Sequence, residues 1–251
     1  MQQKNKTLGI IPARYDSSRF PGKVLVDIAG KSMIQRVYEQ AKKATSLDEV
    51  VVATDDERVF QAVEKFGGQV VFTDKNHQSG TDRCAEVIKF DHFQDFDIVV
   101  NIQGDEPYIQ PEQIDKAVLF LKDNLLFKIA TLAKKIDDRQ PLFSPNVVKV
   151  VFGKAQNALY FSRNAIPYLR DIGLGNWLDS ADFYKHIGLY AFRKEALTTV
   201  AQLPIGRLEN LEKLEQLRWL ENGFSIGVEI TELETIGIDT PEDLLSIKNK
   251  K

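Results

Sequence analysis

Three cations on one turn-rich segment are the first residues of this chain whose types and spacing could do chemistry. Residues 10–23 read Ile-Ile-Pro-Ala-Arg-Tyr-Asp-Ser-Ser-Arg-Phe-Pro-Gly-Lys, so an apolar strand, Leu8–Ile11, runs directly into a loop carrying Arg14, Arg19 and Lys23. A salt-bridged surface loop can hold as many basic residues, and charge alone does not choose between the two readings. The strand in front and Gly22-Lys23 behind favour phosphate, because a small residue lets backbone N–H groups come close to oxygen atoms. A second constellation, Asn101-Ile102-Gln103-Gly104-Asp105-Glu106-Pro107, also follows an apolar strand. A strand-end carboxylate beside a glycine is placed to hold a divalent cation near a triphosphate. The plainer role for Asp105 is to cap a turn. Asp239 follows Ile236 and Ile238 and precedes a helix start that Thr240 can already cap. Two carboxylates and a cationic loop together point to metal-assisted transfer of a phosphoryl or nucleotidyl group.

Several other chemistries are excluded by the same reading. Gly30-Lys31-Ser32 resembles the end of a P-loop, but Leu25 stands where that motif requires its first glycine. The first strand is not followed by G-x-G-x-x-G, and H-E-x-x-H, C-x-x-C and G-x-S-x-G are all missing. The single cysteine, Cys84, rules out an internal disulfide and a cysteine-rich zinc site, and its helical setting reads as core. A formal net charge of −3 argues against general nucleic-acid binding, so any anion site must be local. The polar N-terminus offers neither a signal peptide nor a membrane span, and a cytoplasmic protein is expected.

The elements that must position these groups alternate in the first half. Leu8–Ile11, Glu49–Thr54, Gln69–Thr73 and Ile98–Ile102 read as buried strands, and Met33–Ala44, Glu57–Phe66 and Asp82–Phe90 as amphipathic helices. Ser32 and Asp56 are caps for the first two, Gly67-Gly68 stops the second, and Pro111 opens a fourth helix ending near Asp123. This order predicts an α/β fold with a mainly parallel sheet covered by helices on both faces, and ligands at the carboxyl ends of its strands. The second half is less regular: strands are expected at Lys128–Ile136, Val147–Phe152, Ala158–Phe161, Ile187–Phe192 and Phe224–Ile230. Leucines at 208, 211, 214, 217 and 220 suggest one helix from Leu208 to Asn222, facing the core or a second copy.

The loop at Ile11–Lys23, Ala53-Thr54-Asp55-Asp56, His77-Gln78-Ser79-Gly80-Thr81-Asp82-Arg83, Gln103–Pro107 and Asp239–Asp243 resemble, in order, those of 3-deoxy-manno-octulosonate cytidylyltransferases. Tyr160–Arg163, His186–Tyr190 and Leu214–Arg218 match the same family, while 171–180 matches less well. The resemblance covers essentially the whole chain. It implies a Rossmann-like nucleotidyltransferase sheet with a smaller mixed α/β sugar-binding and dimerisation lobe. The implied layout is a single domain over 1–251. Its nucleotide part covers about 1–125 plus 224–251, and its sugar and dimer part about 126–223.

The implied reaction joins CTP and 3-deoxy-manno-octulosonate (Kdo) to give CMP-Kdo and pyrophosphate, for lipopolysaccharide synthesis by a cytoplasmic homodimer. By the resemblance, Arg14, Ser17, Ser18, Arg19, Lys23, Ser79, Gly80 and Gln103 would hold the nucleotide. Asp105 and Asp239 would hold Mg²⁺, with Arg14 and Lys23 sharing the catalytic work. Arg163, His186, Tyr190, Glu215 and Gln216 would hold the sugar. Glu215 and Gln216 are neighbours about 100° apart on a helix, so a wide pocket or a bend is needed for both to face it. Three alternatives remain open: a cytidylyltransferase for 8-amino-Kdo or a sialic acid, a glycosyltransferase, and a non-catalytic nucleotide sensor. Gln103-Gly104-Asp105 has only one of the two aspartates that a glycosyltransferase metal motif needs, and a sensor has no need of both Asp105 and Asp239.

Overall fold

A computed structural model describes residues 5–16 and 20–248, so Ser17, Ser18 and Arg19 lie outside the described residues. The expected strands of the first half form where the apolar runs predict them: β1 (Thr7–Pro12), β2 (Glu49–Thr54), β3 (Val70–Phe72) and β4 (Ile98–Asn101). β1, β2 and β4 are apolar at consecutive positions because helices cover both faces, whereas β3, expected to be buried, lies at the sheet edge with Val70 and Val71 half-buried and Phe72 exposed. Val50, Val52 and Val100 pack on one side with Ile34, Val37, Ile114 and Val118. Val51, Ala53 and Val99 pack on the other with Cys84, Val87 and Leu197.

The helices start and stop on local chemistry. In α1 (Met33–Ala41) the Ser32 side chain accepts from the Gln35 N–H, and in α2 (Glu57–Lys65) Asp56 accepts from the Arg58 N–H. Gly67, at φ 76°, turns the chain out of α2. After α3 (Gly80–Val87), α4 (Pro111–Asp123) opens on its proline. Further along, β5 (Ile129–Lys135), β6 (Lys149–Phe152), β7 (Ala158–Ser162), β8 (Tyr184–Arg193) and β9 (Ile226–Ile230) complete the sheet. Short helical turns lie at Arg139–Phe143 and Trp177–Ser180.

These nine strands form one sheet, ordered β9-β5-β8-β4-β1-β2-β3, with β6 and β7 hanging from β8 as a side hairpin, apart from a short antiparallel pair at Asp27–Ile28 and Lys31–Ser32. β1 pairs in parallel with both β2 and β4, β2 with β3, and β5 with β9. β8 runs antiparallel between β4 and β5. The sheet is therefore mainly parallel, as expected, and it runs without interruption through both parts of the chain.

One expected helix is two. The chain from 207 to 222 forms α6 (Arg207–Glu212) and α7 (Gln216–Glu221), following α5 (Lys194–Val200), and a left-handed Lys213 (φ 54°) makes the corner. A repeat of three falls behind the helical 3.6 by about 60° at each step, so five leucines spread over about 240° and cannot share one face of a straight helix. The corner re-aims the stripe: Leu214 and Leu217 are buried in the core, while Leu211 is left exposed. The chain then follows β9 with an extended segment and ends on α8 (Pro241–Lys248).

The side hairpin is anchored by Lys149, which is fully buried. Its ammonium donates to the carbonyls of Ser144 (2.8 Å), Val147 (2.6 Å) and Arg163 (2.6 Å). Lys149→Met would keep the volume and strand three carbonyls. The expected cost is about 3 kcal/mol of stability. Thermal unfolding should show a midpoint lower by roughly 6–12 °C, and an unchanged midpoint would show that these contacts do not matter.

Candidate active site

Chain order reverses at β1: β2, the next in sequence, lies on one side and β4 on the other. At such a switch point the outgoing loops separate and leave a crevice. Two glycines let these loops close on one another. A Cβ at Gly104 would lie 2.8 Å from the Pro12 carbonyl oxygen, and one at Gly80 would lie 3.2 Å from the Pro12 ring. The crevice beside this contact is lined by Arg14, Lys23, Ser79, Arg83, Gln103 and Asp105, among others.

Lys23 lies at the heart of it. Its Nζ donates to Asp105 Oδ2 at 2.5 Å and to Asp239 Oδ1 at 2.9 Å, and its side chain is only 13% exposed. Burial works against the ammonium charge, but the two carboxylates outweigh it and raise the Lys23 pKa. Gly22, at φ 70°, supplies the turn, and its N–H donates to the Tyr15 carbonyl at 2.8 Å. Asp239 arrives from the far end of the sequence because the Ile238 N–H donates to the Asp105 carbonyl at 2.9 Å, with the Ile238 side chain buried. Thr240 does cap α8, accepting from the Asp243 N–H. Among the described residues no group of three or more His, Cys, Asp and Glu side chains gathers in a metal-binding cluster, so a metal ion here would have two protein carboxylates.

Next to Lys23, Arg14 donates to the carbonyls of His77 (3.2 Å) and Gln78 (3.5 Å), bringing it against the start of α3. That start is a closed capping box: Ser79 Oγ accepts from the Asp82 N–H, and Asp82 accepts from the Ser79 N–H. One turn into the helix stands Arg83, 1% exposed, which donates to Asp55 Oδ2 at 3.0 Å and to Thr73 Oγ1. Arg83 lines the crevice and was not among the expected site residues. A signal for it existed, since it sits four residues before buried Val87, on the apolar face of its helix. A cation in that phase needs a partner or a ligand.

A second cavity adjoins the first and shares Gln103 and Asp105 with it. Its lining includes His186, Tyr190, Glu215, Gln216 and Asp239. A bulge in β8 between Ile187 and Tyr190 shapes one wall. Thr131 fills the bulge, its Oγ1 lying 3.1 Å from the Ile187 carbonyl and 2.8 Å from that of Leu189. The Gly188 carbonyl accepts from Gln103 Nε2 at 3.1 Å, so Gln103 stands at the junction of the cavities with its amide nitrogen engaged. His186 Nε2 lies 2.9 Å from Thr131 Oγ1. The donor and acceptor roles in that contact follow the tautomer of the ring. Burial pushes the His186 pKa down to about 3, so the ring is neutral at neutral pH.

Glu215 and Gln216 both follow the corner at Lys213 with helical backbone, and both line this cavity, so its width and not a bend between them accommodates the pair. Glu215 accepts from Thr81 Oγ1 at 2.8 Å and from Arg218 at 3.0 Å. Burial nevertheless raises its pKa. The Tyr190 hydroxyl is buried and has no hydrogen-bond partner among the described residues, and the same holds for Glu106 Oε2. Glu106, which also lines the cavity and was not expected there, has its pKa pushed up to about 8 by burial and by the charges of Asp105, Asp239 and Glu234, against the pull of Lys185. Arg163 lines neither cavity. Its guanidinium donates to the carbonyls of Glu212 (2.7 Å), Pro145 (3.1 Å) and Lys213 (3.4 Å), at the corner that precedes α7.

A family model described as cytidylyltransferase matches residues 8–233. The 3-deoxy-manno-octulosonate cytidylyltransferase of Parabacteroides distasonis is 56% identical over 243 residues, 95% of each chain. That of Cytophaga hutchinsonii is 50% identical over 248 residues, 98% of each. Among solved structures, a CMP:2-keto-3-deoxy-manno-octonic acid synthetase complexed with CTP superposes with a TM-score of 0.89 at 43% identity, covering 98% of both chains.

The neutral His186 gives the fold a definite pH response. Its pKa in the folded chain lies below the usual 6.5, so the unfolded chain takes up a proton first as pH falls. The stability tied to this ring is whole above pH 6.5 and is lost as pH drops toward about 3, with a limiting slope of about 1.4 kcal/mol per pH unit. Unfolding midpoints measured from pH 7 to 4 should fall more steeply for the native chain than for His186→Gln. Parallel curves would contradict the neutral assignment.

Proposed function

The chain belongs to the 3-deoxy-manno-octulosonate cytidylyltransferase family, and from that premise we propose how its residues share the transfer of CMP from CTP to Kdo. The Kdo 2-hydroxyl attacks the α-phosphorus and pyrophosphate leaves. The observation that carries the assignment is the Lys23–Asp105–Asp239 cluster, where the crevice and the second cavity meet. CTP occupies the crevice and Kdo the adjoining cavity, so the α-phosphate lies at the junction marked by Gln103 and Asp105.

CTP-dependent transferases generally use a divalent metal ion, and Asp105 and Asp239 fit one because two carboxylate oxygens already share a single cationic centre. We take the ion to be Mg²⁺, which accepts two carboxylates and fills its remaining positions from substrate oxygens and water. When bound, it would polarise the α-phosphate and lower the pKa of the sugar hydroxyl. Arg14 and Lys23, with Ser17, Ser18 and Arg19 on the same loop, hold the triphosphate and oppose the charge that grows on departing pyrophosphate. Their contribution to rate is the extent to which they grip that developing charge harder than they grip bound CTP.

Ser79, Gly80 and Arg83 face the base. Arg83 is a donor-only group, suited to the O2 and N3 acceptors of cytosine and opposed by the N3–H of uracil. On the sugar side, the Tyr190 hydroxyl and the neutral His186 ring offer hydrogen-bonding groups, and Glu215 and Gln216 complete the wall. Arg163 would have to leave its carbonyl partners to reach the sugar carboxylate. A cytoplasmic homodimer serving lipopolysaccharide synthesis completes the reading. It is supported by large apolar side chains exposed on the second half, Leu159, Tyr168 and Leu211. Among the described residues no helix is long and apolar enough to cross a membrane.

Pyrophosphate release from CTP and Mg²⁺ should be fast with Kdo and slow with 8-amino-Kdo or N-acetylneuraminate. Release with none of the three would sink the reading. Asp105→Asn and Asp239→Asn should each lower kcat by roughly a hundredfold or more with the unfolding midpoint retained, and near-normal rates in both would remove the metal assignment. Arg83→Gln should cut the preference for CTP over UTP by about tenfold, as the loss of one hydrogen-bonded reader predicts. An unaltered preference would place base reading elsewhere.

A further inference from the structure

The Lys23 ammonium occupies the position between the two carboxylates that the proposed metal ion would take, and we infer that Lys23 is a built-in stand-in cation that the metal ion displaces. The inference rests on the reading of Asp105 and Asp239 as metal ligands. Its geometric basis is that the same two oxygens, Asp105 Oδ2 and Asp239 Oδ1, hold one Nζ at 2.5 and 2.9 Å. Two cations cannot share that centre, because a divalent ion and an ammonium at contact distance repel strongly where solvent screening is reduced. Without any cation, the carboxylates of Asp105 and Asp239 would face each other next to buried Glu106. The lysine keeps them together, and Asp239, 216 residues away in sequence, stays docked against the nucleotide half.

Displacement also gives Lys23 a destination. It lines the crevice with Arg14 and follows the left-handed Gly22 turn, so an ammonium released from the carboxylates remains on the triphosphate side of the junction. Metal arriving with CTP brings two positive charges to the carboxylates and many negative charges to the crevice. One lysine movement then satisfies both: the carboxylates exchange a monovalent for a divalent partner, and the phosphates gain a cation. In this account Lys23 cannot serve the leaving group until the metal site is filled. The empty enzyme holds its carboxylates in place and keeps its clamp disengaged.

The test is Mn²⁺ binding in the absence of nucleotide, followed by the electron paramagnetic resonance of the free ion. Lys23→Met, which removes the competing charge, should bind Mn²⁺ at least about tenfold more tightly than the native chain, and Mn²⁺ should raise its unfolding midpoint more. Affinity equal to or weaker than native in folded Lys23→Met would overturn the exchange. The native chain provides a measurement that needs no variant. Acetylation of Lys23 by acetic anhydride, read by mass spectrometry, should rise several-fold when Mn²⁺ is added, and constant labelling would also overturn it. Asp105→Asn separates this inference from its premise. If Asp105→Asn abolishes Mn²⁺ binding while Lys23→Met changes nothing, the exchange fails and the metal assignment stands. If Asp105→Asn binds Mn²⁺ like the native chain, the metal assignment fails and the exchange with it.

Discussion

Pro12 is approached so closely by two other loops that a Cβ at Gly104 would clash with its carbonyl and one at Gly80 would crowd its ring. This steric constraint decides where the functional groups lie. Because the loops after β1 and β4 meet the start of α3, Lys23, Asp105 and Ser79 line one crevice although they come from three separate segments. Parallel pairing of β1 with both β2 and β4 brings the loop origins together, and the glycines remove the last obstruction. A larger residue at either position would push apart loops whose separation sets the distance between nucleotide and metal site.

The electrostatics follow from that crowding. The chain carries a small net negative charge overall, yet Asp105, Glu106, Glu215 and Asp239 line a cavity proposed for an acidic sugar. Lys23 already balances two of these carboxylates, Asp105 and Asp239, and burial raises the pKa of the other two, so the wall is less negative than its residue types suggest. The cations of the chain are held in readiness by internal partners: Arg14 on two carbonyls, Lys23 on two carboxylates, Arg83 on Asp55 and Thr73. Each is oriented before the ligand arrives, so binding exchanges one set of charge-assisted contacts for another and avoids ordering a loose side chain.

Legibility in the sequence tracks how local the cause is. The parallel strands were readable because burial on both faces writes continuous apolar runs, and the helix ends because Ser32, Asp56 and Gly67 act within one turn. The corner at Lys213 was not, since period-three leucines mimic an amphipathic stripe and only the packing of Leu214 and Leu217 shows that the face has to be re-aimed. The β8 bulge depends on Thr131 from another strand, a contact that residue spacing does not encode. At the candidate site, the strand-end motifs gave Asp105, Gln103 and the cationic loop directly. Arg83 and Glu106 lay within the quoted motifs but were given no role, because their significance lies in burial. Arg163 shows the reverse: a cation of apt chemistry whose donors are committed to backbone carbonyls.

The hydrogen bond from Thr81 to Glu215 joins the segment proposed to read the base to the corner that shapes the sugar cavity. Thr81 lies next to Gly80 in the first turn of α3, and Glu215 begins α7, so neither end can shift without altering the other's partner. The Glu215 carboxylate thus ties the helix start beside one cavity to the wall of the other. Were CTP and the sugar coupled through this contact, the coupling would be reciprocal: whatever factor CTP applied to sugar binding, the sugar would apply to CTP. One hydrogen bond thus joins the walls of two adjoining cavities.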